Sequence, residues 1–288
     1  MFKWRILCHG KLSPEMNMAI DEAVFLEVIR GNSKPTLRFY DWNPPTLSYG
    51  YNQNIDKEID FDLAKKKGFG YVRRPTGGRM VLHKDEVTYS VIAPIAGNLE
   101  GNITNSYSAI SQALAAGLNR LGIQAEFEKG TLSSSHQRKA TNPCFTSSSK
   151  YELKLGNKKI VGSAQVRKKN CLLQHGAILL NYDQMEIAEI LPNLTASERK
   201  KIGNYIKRKT TAINDNIEKK ISFDVAVQNL ILGFKDNWKN NEFVVGKLLE
   251  RENKLAKKLA SCKYSQDVWN IDKSLKKSSE KEGLKELE

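Results

Sequence analysis

The stretch that decides the fold is residues 151–180, which reads YELKLGNKKIVGSAQVRKKNCLLQHGAILL. Its first five residues alternate apolar and polar side chains, as a half-buried strand does. Gly156-Asn157 then interrupts the pattern with residues that favour a tight hairpin turn. Residues 158–167 and 171–180 continue as two further strand-like runs. The stretch therefore predicts a three-stranded antiparallel meander.

Elements on both sides of the meander extend this interpretation. Upstream, Ser13-Pro14 and the apolar spacing that follows predict a capped helix, and a second helix is closed by Gly122. Downstream, 195–198 forms a capping box and the chain becomes helical. Short strands are predicted at 36–40, 46–51, 69–73, 81–83 and 87–93. Strands first and helices later indicate an α+β fold, in which helices flank a mixed, largely antiparallel sheet.

Composition indicates one large globular domain at residues 1–272, followed by a charged, disordered tail at 273–288. Hydrophobic residues make up 40% and charged residues 27% of the 288, which is an ordinary balance for a folded protein. No apolar run approaches the roughly 18–20 residues of a membrane span. The start of the chain has no signal-peptide core, and the four cysteines are widely spaced. We therefore expect a cytoplasmic monomer with reduced thiols and no metal site.

The formal net charge of +14 attracts anionic partners. Lysine-rich clusters such as 65–67 and 199–201 are typical of a solvated face, of a surface for an acidic protein, or of a nucleic-acid surface. Aromatic residues make up only 8% of the chain, and no basic-aromatic binding motif stands out. We therefore expect no nucleic-acid partner.

Residues 73–79, RRPTGGR, lie between strand-like segments. Paired glycines let backbone N–H groups approach a ligand, and arginines supply fixed charge. The segment lacks the Gly-Lys-Ser/Thr of a phosphate-binding Walker loop. Both a tight turn and a ligand loop fit it. His83 and His175 are each consistent with structural roles, because neither has a sequence-adjacent carboxylate that would indicate a triad.

Cys144 lies in a polar, serine-rich loop at residues 131–150. A thiol in such a loop is not packed as a core hydrophobe, and nearby lysines would lower its pKa and raise the thiolate fraction. Cys144 is therefore a candidate nucleophile. Cys8, Cys171 and Cys262 occur in apolar or helical contexts and are expected to be packing residues.

Lys159 follows the Gly156-Asn157 turn and precedes the small residues 162–164. Strand alternation places Lys159, Val161 and Ser163 on one face and Lys158 on the other. A lysine on the inner face beside small residues would donate hydrogen bonds to a bound carbonyl or phosphate. The alternative is an ordinary surface lysine.

Taken together, fragments spread over roughly residues 1–270 resemble the lipoate–protein ligase/octanoyltransferase superfamily, which is related to biotin–protein ligases. The cysteine loop is most similar to that of the cysteine-dependent octanoyltransferases of the Gram-positive type. ATP-dependent ligases of the superfamily often carry an accessory C-terminal domain, for which the tail is too short. The fragments are 16–23, 37–42, 47–53, 73–83, 88–90, 142–145, 159–165 and 174–176.

The resemblance implies a biotin/lipoate ligase catalytic-domain fold with an acyl tunnel, in which Cys144 and Lys159 are catalytic. It implies that octanoyl moves from octanoyl-acyl carrier protein to Cys144 and then to a lysine of a lipoyl domain, such as glycine-cleavage H protein. Neither step needs a cofactor. The implied substrate-binding residues are Arg73, Arg74, Thr76, Gly77, Gly78, His83, Gly162, Ser163 and Ala164.

Three alternatives stay open at the level of sequence. The first is an ATP-dependent lipoate ligase that uses the same pocket and Lys159. The second is an amidotransferase that moves octanoyl between lipoyl domains through Cys144. The third is a non-catalytic acyl-binding or carrier-binding protein, against which the presence of both residues counts.

Overall fold

The computed structural model describes residues 1–55, 58–129, 151–181 and 184–272. Cys144 and the tail at 273–288 lie outside the described residues. The strands are β1 (Lys3–Leu12), β2 (Thr36–Trp42), β3 (Thr46–Tyr49), β4 (Gly70–Arg73), β5 (Val81–His83), β6 (Glu86–Pro94), β7 (Glu126–Lys129), β8 (Tyr151–Leu155), β9 (Lys158–Lys168), β10 (Cys171–Leu179) and β11 (Glu242–Val245). The helices are α1 (Pro14–Ile29), α2 (Phe61–Lys66), α3 (Ile103–Arg120), α4 (Ala196–Lys209), α5 (Phe223–Asn237) and α6 (Glu250–Leu259).

Eight strands form one mixed sheet in the order β11-β1-β2-β6-β10-β9-β8-β7. Strand β1 runs parallel to both of its neighbours, and the remaining pairs are antiparallel. Strands β8, β9 and β10 form the predicted meander. A second sheet has the order β4-β3-β5. The α+β prediction with a largely antiparallel sheet is therefore confirmed.

Helices cover both faces of the large sheet. Apolar side chains of α3 and α5 pack on one face, which we call the helix face. Helices α1 and α6 pack on the opposite face. The small sheet forms a further apolar cluster with the segment before α4. The space between the small sheet and the large one is where the candidate site lies. No helix in the described ranges is long and apolar enough to cross a membrane.

Several local predictions can be compared directly with the structure. The capping box at Thr195 is present, with both of its reciprocal hydrogen bonds. Ser13 stands at the N-cap of α1, but its side chain makes no capping hydrogen bond. Cys171 is buried as expected, whereas Cys8 and Cys262 are exposed. The expectation that these last two are packing residues was wrong, because their side chains face solvent from β1 and from the segment after α6.

Candidate active site

A narrow cavity lies between the small sheet and strands β9 and β10. Much of its wall is apolar or small, which suits an uncharged chain. The lining residues are Met18, Tyr40, Trp42, Ser48, Arg74, Val81, His83, Thr88, Gly162, Ser163, Ala164, His175, Gly176 and Ala177.

The loop at residues 74–79 lies against the end of β3 and approaches β9. Gly50 permits this packing, since a Cβ atom there would stand 2.0 Å from the carbonyl oxygen of Gly78. Gly78 has φ +92° and therefore adopts a conformation that side-chain-bearing residues avoid. A Cβ on Gly78 would lie 3.5 Å from that of Ala164. The paired glycines thus bring the loop to the wall of the cavity.

Arg74 holds this loop from inside. Its guanidinium donates to the carbonyl and hydroxyl oxygens of Ser48, both at 2.7 Å. It also donates to the carbonyls of Gly77 and Arg79, both at 3.0 Å. Arg74 therefore both lines the cavity and fixes the backbone around the glycine pair.

Arg73 differs from its neighbour and does not line the cavity. Its fully buried guanidinium donates to the carbonyls of Asn270 at 2.8 Å and Gln53 at 2.9 Å, among others. Its backbone N–H donates to the Asn270 side chain at 3.0 Å. The substrate-binding expectation for Arg73 is thus corrected, because carbonyls of two distant segments occupy its donors.

Asp21 of α1 is the hub of a buried polar network beside the cavity. It accepts hydrogen bonds from Arg38 at 2.7 Å, Tyr40 at 2.8 Å and Ser90 at 2.9 Å. His175 Nδ1 lies 3.2 Å from its second oxygen. Burial alone raises the pKa of Asp21, but Arg38 and the His175 hydrogen bond outweigh it and lower the pKa to about 2. Asp21 is therefore a carboxylate at neutral pH.

The Asp21 carboxylate fixes the tautomer of His175. Burial lowers the pKa of His175, so the ring is neutral. An ionised carboxylate only accepts, so Nδ1 carries the proton and donates to Asp21. Nε2 is then an acceptor, and the Thr76 hydroxyl at 2.7 Å donates to it. The relay Asp21–His175–Thr76 thus ties the 74–79 loop to α1 and β10.

A second relay runs from Glu86 through His83 to Ser48. Burial, followed by the Arg74 charge, holds the pKa of His83 well below its usual value, while burial raises that of Glu86. His83 Nδ1 lies 3.0 Å from Glu86 Oε1. The Ser48 hydroxyl, which accepts from Arg74, lies 2.6 Å from His83 Nε2. The ring nitrogens of both histidines are therefore hydrogen-bonded to protein groups, and neither imidazole places a charge in the cavity.

Lys159 is buried at 4% exposure, and a β-bulge decides which way it faces. Between the pairs Lys154–Lys159 and Leu153–Val161, β8 advances one residue while β9 advances two. The extra residue, Ile160, packs with Val161 in the core on the helix face. A bulge shifts alternation by one residue, so Lys159 turns to the opposite face, which is the cavity face.

The bulge corrects the expectation that Lys159 and Ser163 share a face. Lys159 is joined to the segment after α4, since its carbonyl accepts from the Thr211 N–H at 3.0 Å. The next residue, Ala212, packs with Val81 and Ala177, which line the cavity. Lys159 does not line the cavity itself, but the 211–212 segment connects its backbone to residues that do, and its side chain is on the cavity face of the sheet.

Ser163 is held by two tyrosines. The Tyr89 hydroxyl lies 2.7 Å from its Oγ, and Tyr107 donates to its carbonyl at 2.8 Å. Gly176 lies opposite it on β10, and a Cβ atom there would stand 2.4 Å from the carbonyl of Gly162. These contacts hold β9 and β10 in close register where they form the floor of the cavity.

The structure thus brings most of the predicted residues together. Arg74, His83 and residues 162–164 line the cavity, and 76–78 form the adjoining loop. Cys144 lies outside the described residues. Within the described part of the chain, no cluster of His, Cys, Asp and Glu side chains is arranged to hold a metal ion. Residues that sequence reasoning missed are Asp21, Tyr40, Trp42, Ser48, Glu86 and Thr88.

We expect Asp21→Asn to destabilise the fold by about 3–5 kcal/mol at pH 7, because it leaves the Arg38 guanidinium buried without its counterion. The pKa of Asp21 is depressed in the folded state, so its contribution is present above about pH 4. That contribution is lost as pH falls through about 2. The difference in free energy of unfolding between wild type and variant, measured by urea unfolding, should therefore be smaller at pH 3 than at pH 7.

Asp236→Asn is the matched control, because Asp236 pairs with Arg120 at the surface. It should change stability by less than about 1 kcal/mol. An Asp21→Asn effect that is small, or that stays constant with pH, would contradict the assigned ion pair.

Comparison with known proteins adds an independent finding. Residues 13–235 match the model of the lipoyl protein ligase A/B catalytic domain. Octanoyltransferase LipM of Clostridioides difficile is 38% identical over 272 residues, covering 94% of this chain and 99% of the relative. Octanoyltransferase LipM of Anoxybacillus flavithermus is 40% identical over 277 residues, covering 93% and 98%.

A solved structure supports the same relationship. A lipoate protein ligase from Thermoplasma acidophilum, described as bi-partite and together with its E2 lipoyl domain, superposes with a TM-score of 0.78 at 27% identity. The match covers 96% of this chain and 99% of that one. The fold, the site and these similarities lead to one conclusion: the chain belongs to the lipoyl protein ligase A/B catalytic domain family.

Proposed function

We propose that this enzyme, an octanoyltransferase of lipoate biosynthesis, takes octanoyl from octanoyl-acyl carrier protein onto Cys144 and passes it to a lysine of a lipoyl domain. The observation that carries the proposal is the largely apolar cavity, with buried Lys159 on the same face of the sheet. The acceptor that we propose is a lipoyl domain or the lipoyl-domain-like glycine-cleavage H protein.

The cavity supports an alkyl chain rather than a polar ligand. His83 and His175 are neutral, and their nitrogens are engaged by protein groups. Much of the remaining wall is apolar or small, including Met18, Val81 and Ala177. Burial of apolar surface stabilises such a complex by about 25 cal/mol per Å². An octanoyl chain therefore gains affinity here without having to compete for a hydrogen bond.

In the first step the Cys144 thiolate attacks the thioester carbonyl of the octanoyl donor. A new carbon–sulfur bond forms at Cys144, the bond to the carrier sulfur breaks, and the released carrier thiolate takes up a proton. The Lys159 ammonium stabilises the charge on the tetrahedral oxyanion. The exchange converts one thioester into another, so no activating nucleotide is consumed.

In the second step the neutral amine of the acceptor lysine attacks the octanoyl-S-Cys144 carbonyl. An amide forms, the carbon–sulfur bond breaks, and one amine proton returns to the departing thiolate. Lys159 again stabilises the oxyanion. Carrier proteins and lipoyl domains are typically acidic, and the net charge of +14 would steer both partners to this enzyme.

The acyl-enzyme is the direct test. Mixing the protein with octanoyl-acyl carrier protein in the absence of ATP should add the mass of one octanoyl group, in a bond that hydroxylamine cleaves. An octanoylated lipoyl domain used as donor tests the amidotransferase alternative. Labelling that requires ATP and free acid would replace the proposal with ligase chemistry.

A further inference from the structure

A second recess, of about 410 Å³, opens where β9 begins and α4 ends. Lys158 and Lys207 line it together with Thr211, Asp215 and Asn216. Lys158 directly precedes Lys159. The last turn of α4, which holds Lys207, is followed by the segment that bonds to the Lys159 backbone. The recess is thus adjacent to the proposed reaction centre but separate from the acyl cavity.

The recess presents two exposed ammonium groups. In the described ranges neither Lys158 nor Lys207 has a carboxylate within ion-pair distance, although Asp215 lines the same recess. Cations in a last helical turn also offset the helix dipole, which gives Lys207 a structural benefit. That explanation does not apply to Lys158, which reaches the recess from a strand.

A hydroxyl donor stands beside the two lysines. The side-chain amide of Asn216 donates to Thr211 Oγ1 at 2.8 Å and to the carbonyl of Ala212 at 2.7 Å. Thr211 Oγ1 therefore accepts from Asn216 and keeps its own proton for another acceptor. Two ammonium groups and a hydroxyl at one concave site match the several acceptor oxygens of a phosphate better than a single carboxylate.

We propose that this recess binds the phosphate of the phosphopantetheine arm on which the donor carries its octanoyl thioester. This inference rests on the proposed function, since it assumes that the thioester reacts beside Lys159. The phosphate is the only anionic group of this arm, and the arm separates it from the thioester. A phosphate site must therefore lie outside the acyl cavity, but close enough to be connected to it by the same segment of chain. The Thr210–Thr211 segment provides that shared structure.

Two small donors that differ only in the phosphate test the proposal: octanoyl-pantetheine 4′-phosphate and octanoyl-pantetheine. The measured quantity is the ratio of their kcat/KM values for acyl-enzyme formation. Lys158→Ala combined with Lys207→Ala should lower this ratio about tenfold or more. Asp215→Asn should raise it, because it removes the negative charge from the recess.

The matched control is Lys200→Ala combined with Lys201→Ala, since these exposed lysines lie on α4 but do not line the recess. This pair should leave the ratio unchanged. Calorimetry with pantetheine 4′-phosphate and a Cys144→Ala protein gives a readout without catalysis, and binding should weaken in the recess double variant.

The outcomes separate the two proposals. A ratio that is unchanged in the recess variants overturns the phosphate site, as does an equal loss with both donors. A loss seen only with the whole carrier protein would assign the lysines to carrier carboxylates instead and would also overturn it. Failure of the wild type to form an acyl-enzyme with any donor refutes the proposed function, not the recess.

Discussion

Cys144→Ser is expected to abolish acyl-enzyme formation and to lower octanoyl transfer by more than about 10³-fold. A thiol is a few per cent ionised at neutral pH and is intrinsically nucleophilic, whereas a serine hydroxyl has no comparable anion without a dedicated base. Removing a covalent nucleophile typically eliminates nearly all catalysis beyond binding. Intact mass and transfer rate, measured on the same preparation, check this prediction.

The other cysteines supply controls of two kinds. Cys8→Ser and Cys262→Ser change exposed thiols and should retain transfer. Cys171→Ser changes a buried thiol, so it should retain transfer while losing some stability. Transfer that survives in Cys144→Ser at a rate near wild type would remove the covalent mechanism.

Lys159→Ala is expected to slow the chemical step by about 10²–10³-fold, as loss of one oxyanion donor typically does. The measurement is single-turnover acylation by octanoyl-N-acetylcysteamine, an uncharged donor that does not engage the recess. Lys159→Arg should rescue poorly, because a planar guanidinium cannot replace a compact ammonium in a closed site. Lys159→Met keeps the aliphatic stem and should be folded yet slow.

Two other lysines of β9 serve as controls for this result. Lys168 is exposed at the far end of β9, and Lys168→Ala should leave the single-turnover rate unchanged. Lys158→Ala should have a far smaller effect than Lys159→Ala, since the two side chains leave the strand in opposite directions. Equal losses at 158 and 159 would show that the assigned face, or the assigned role, is wrong.

Much of the fold follows from local sequence signals. The meander, its Gly156-Asn157 turn and the Thr195 capping box depend on residues a few positions apart, and the structure confirms them. Strands β1 and β11 were not predicted. They pair in parallel with each other although Lys3 and Glu242 are far apart in the chain, and parallel partners leave no turn signal.

Site residues that belong to a sequence motif could be predicted, whereas those brought together by tertiary packing could not. His83 and Arg74 lie in a recognisable segment, and both line the cavity. The carboxylate partners of the histidines were missed, although Glu86 is only three residues from His83, because alternation alone does not say which side chains meet. Asp21 and His175 are 154 residues apart and meet only through the packing of α1 on the sheet.

The orientation of the Lys159 side chain likewise could not be predicted from the sequence. Regular alternation would place it on the helix face with Val161. The bulge at Ile160 turns Lys159 to the opposite face, and no glycine or proline at that position indicates a bulge in the sequence. The identity of the residue was therefore predictable, whereas its direction required the pairing register.

The carbonyl cage around Arg73 has a consequence for biosynthesis. Several of its acceptors belong to residues 269–271, which follow Arg73 by 196–198 positions, while Arg74 and its loop follow Arg73 directly. During translation the ribosome releases the pocket loop long before it releases the segment that anchors it. A fragment terminated before Trp269 would leave a buried guanidinium without these acceptors, which is a costly state. A chain that ends before Trp269 is therefore expected to leave the 74–79 loop unanchored.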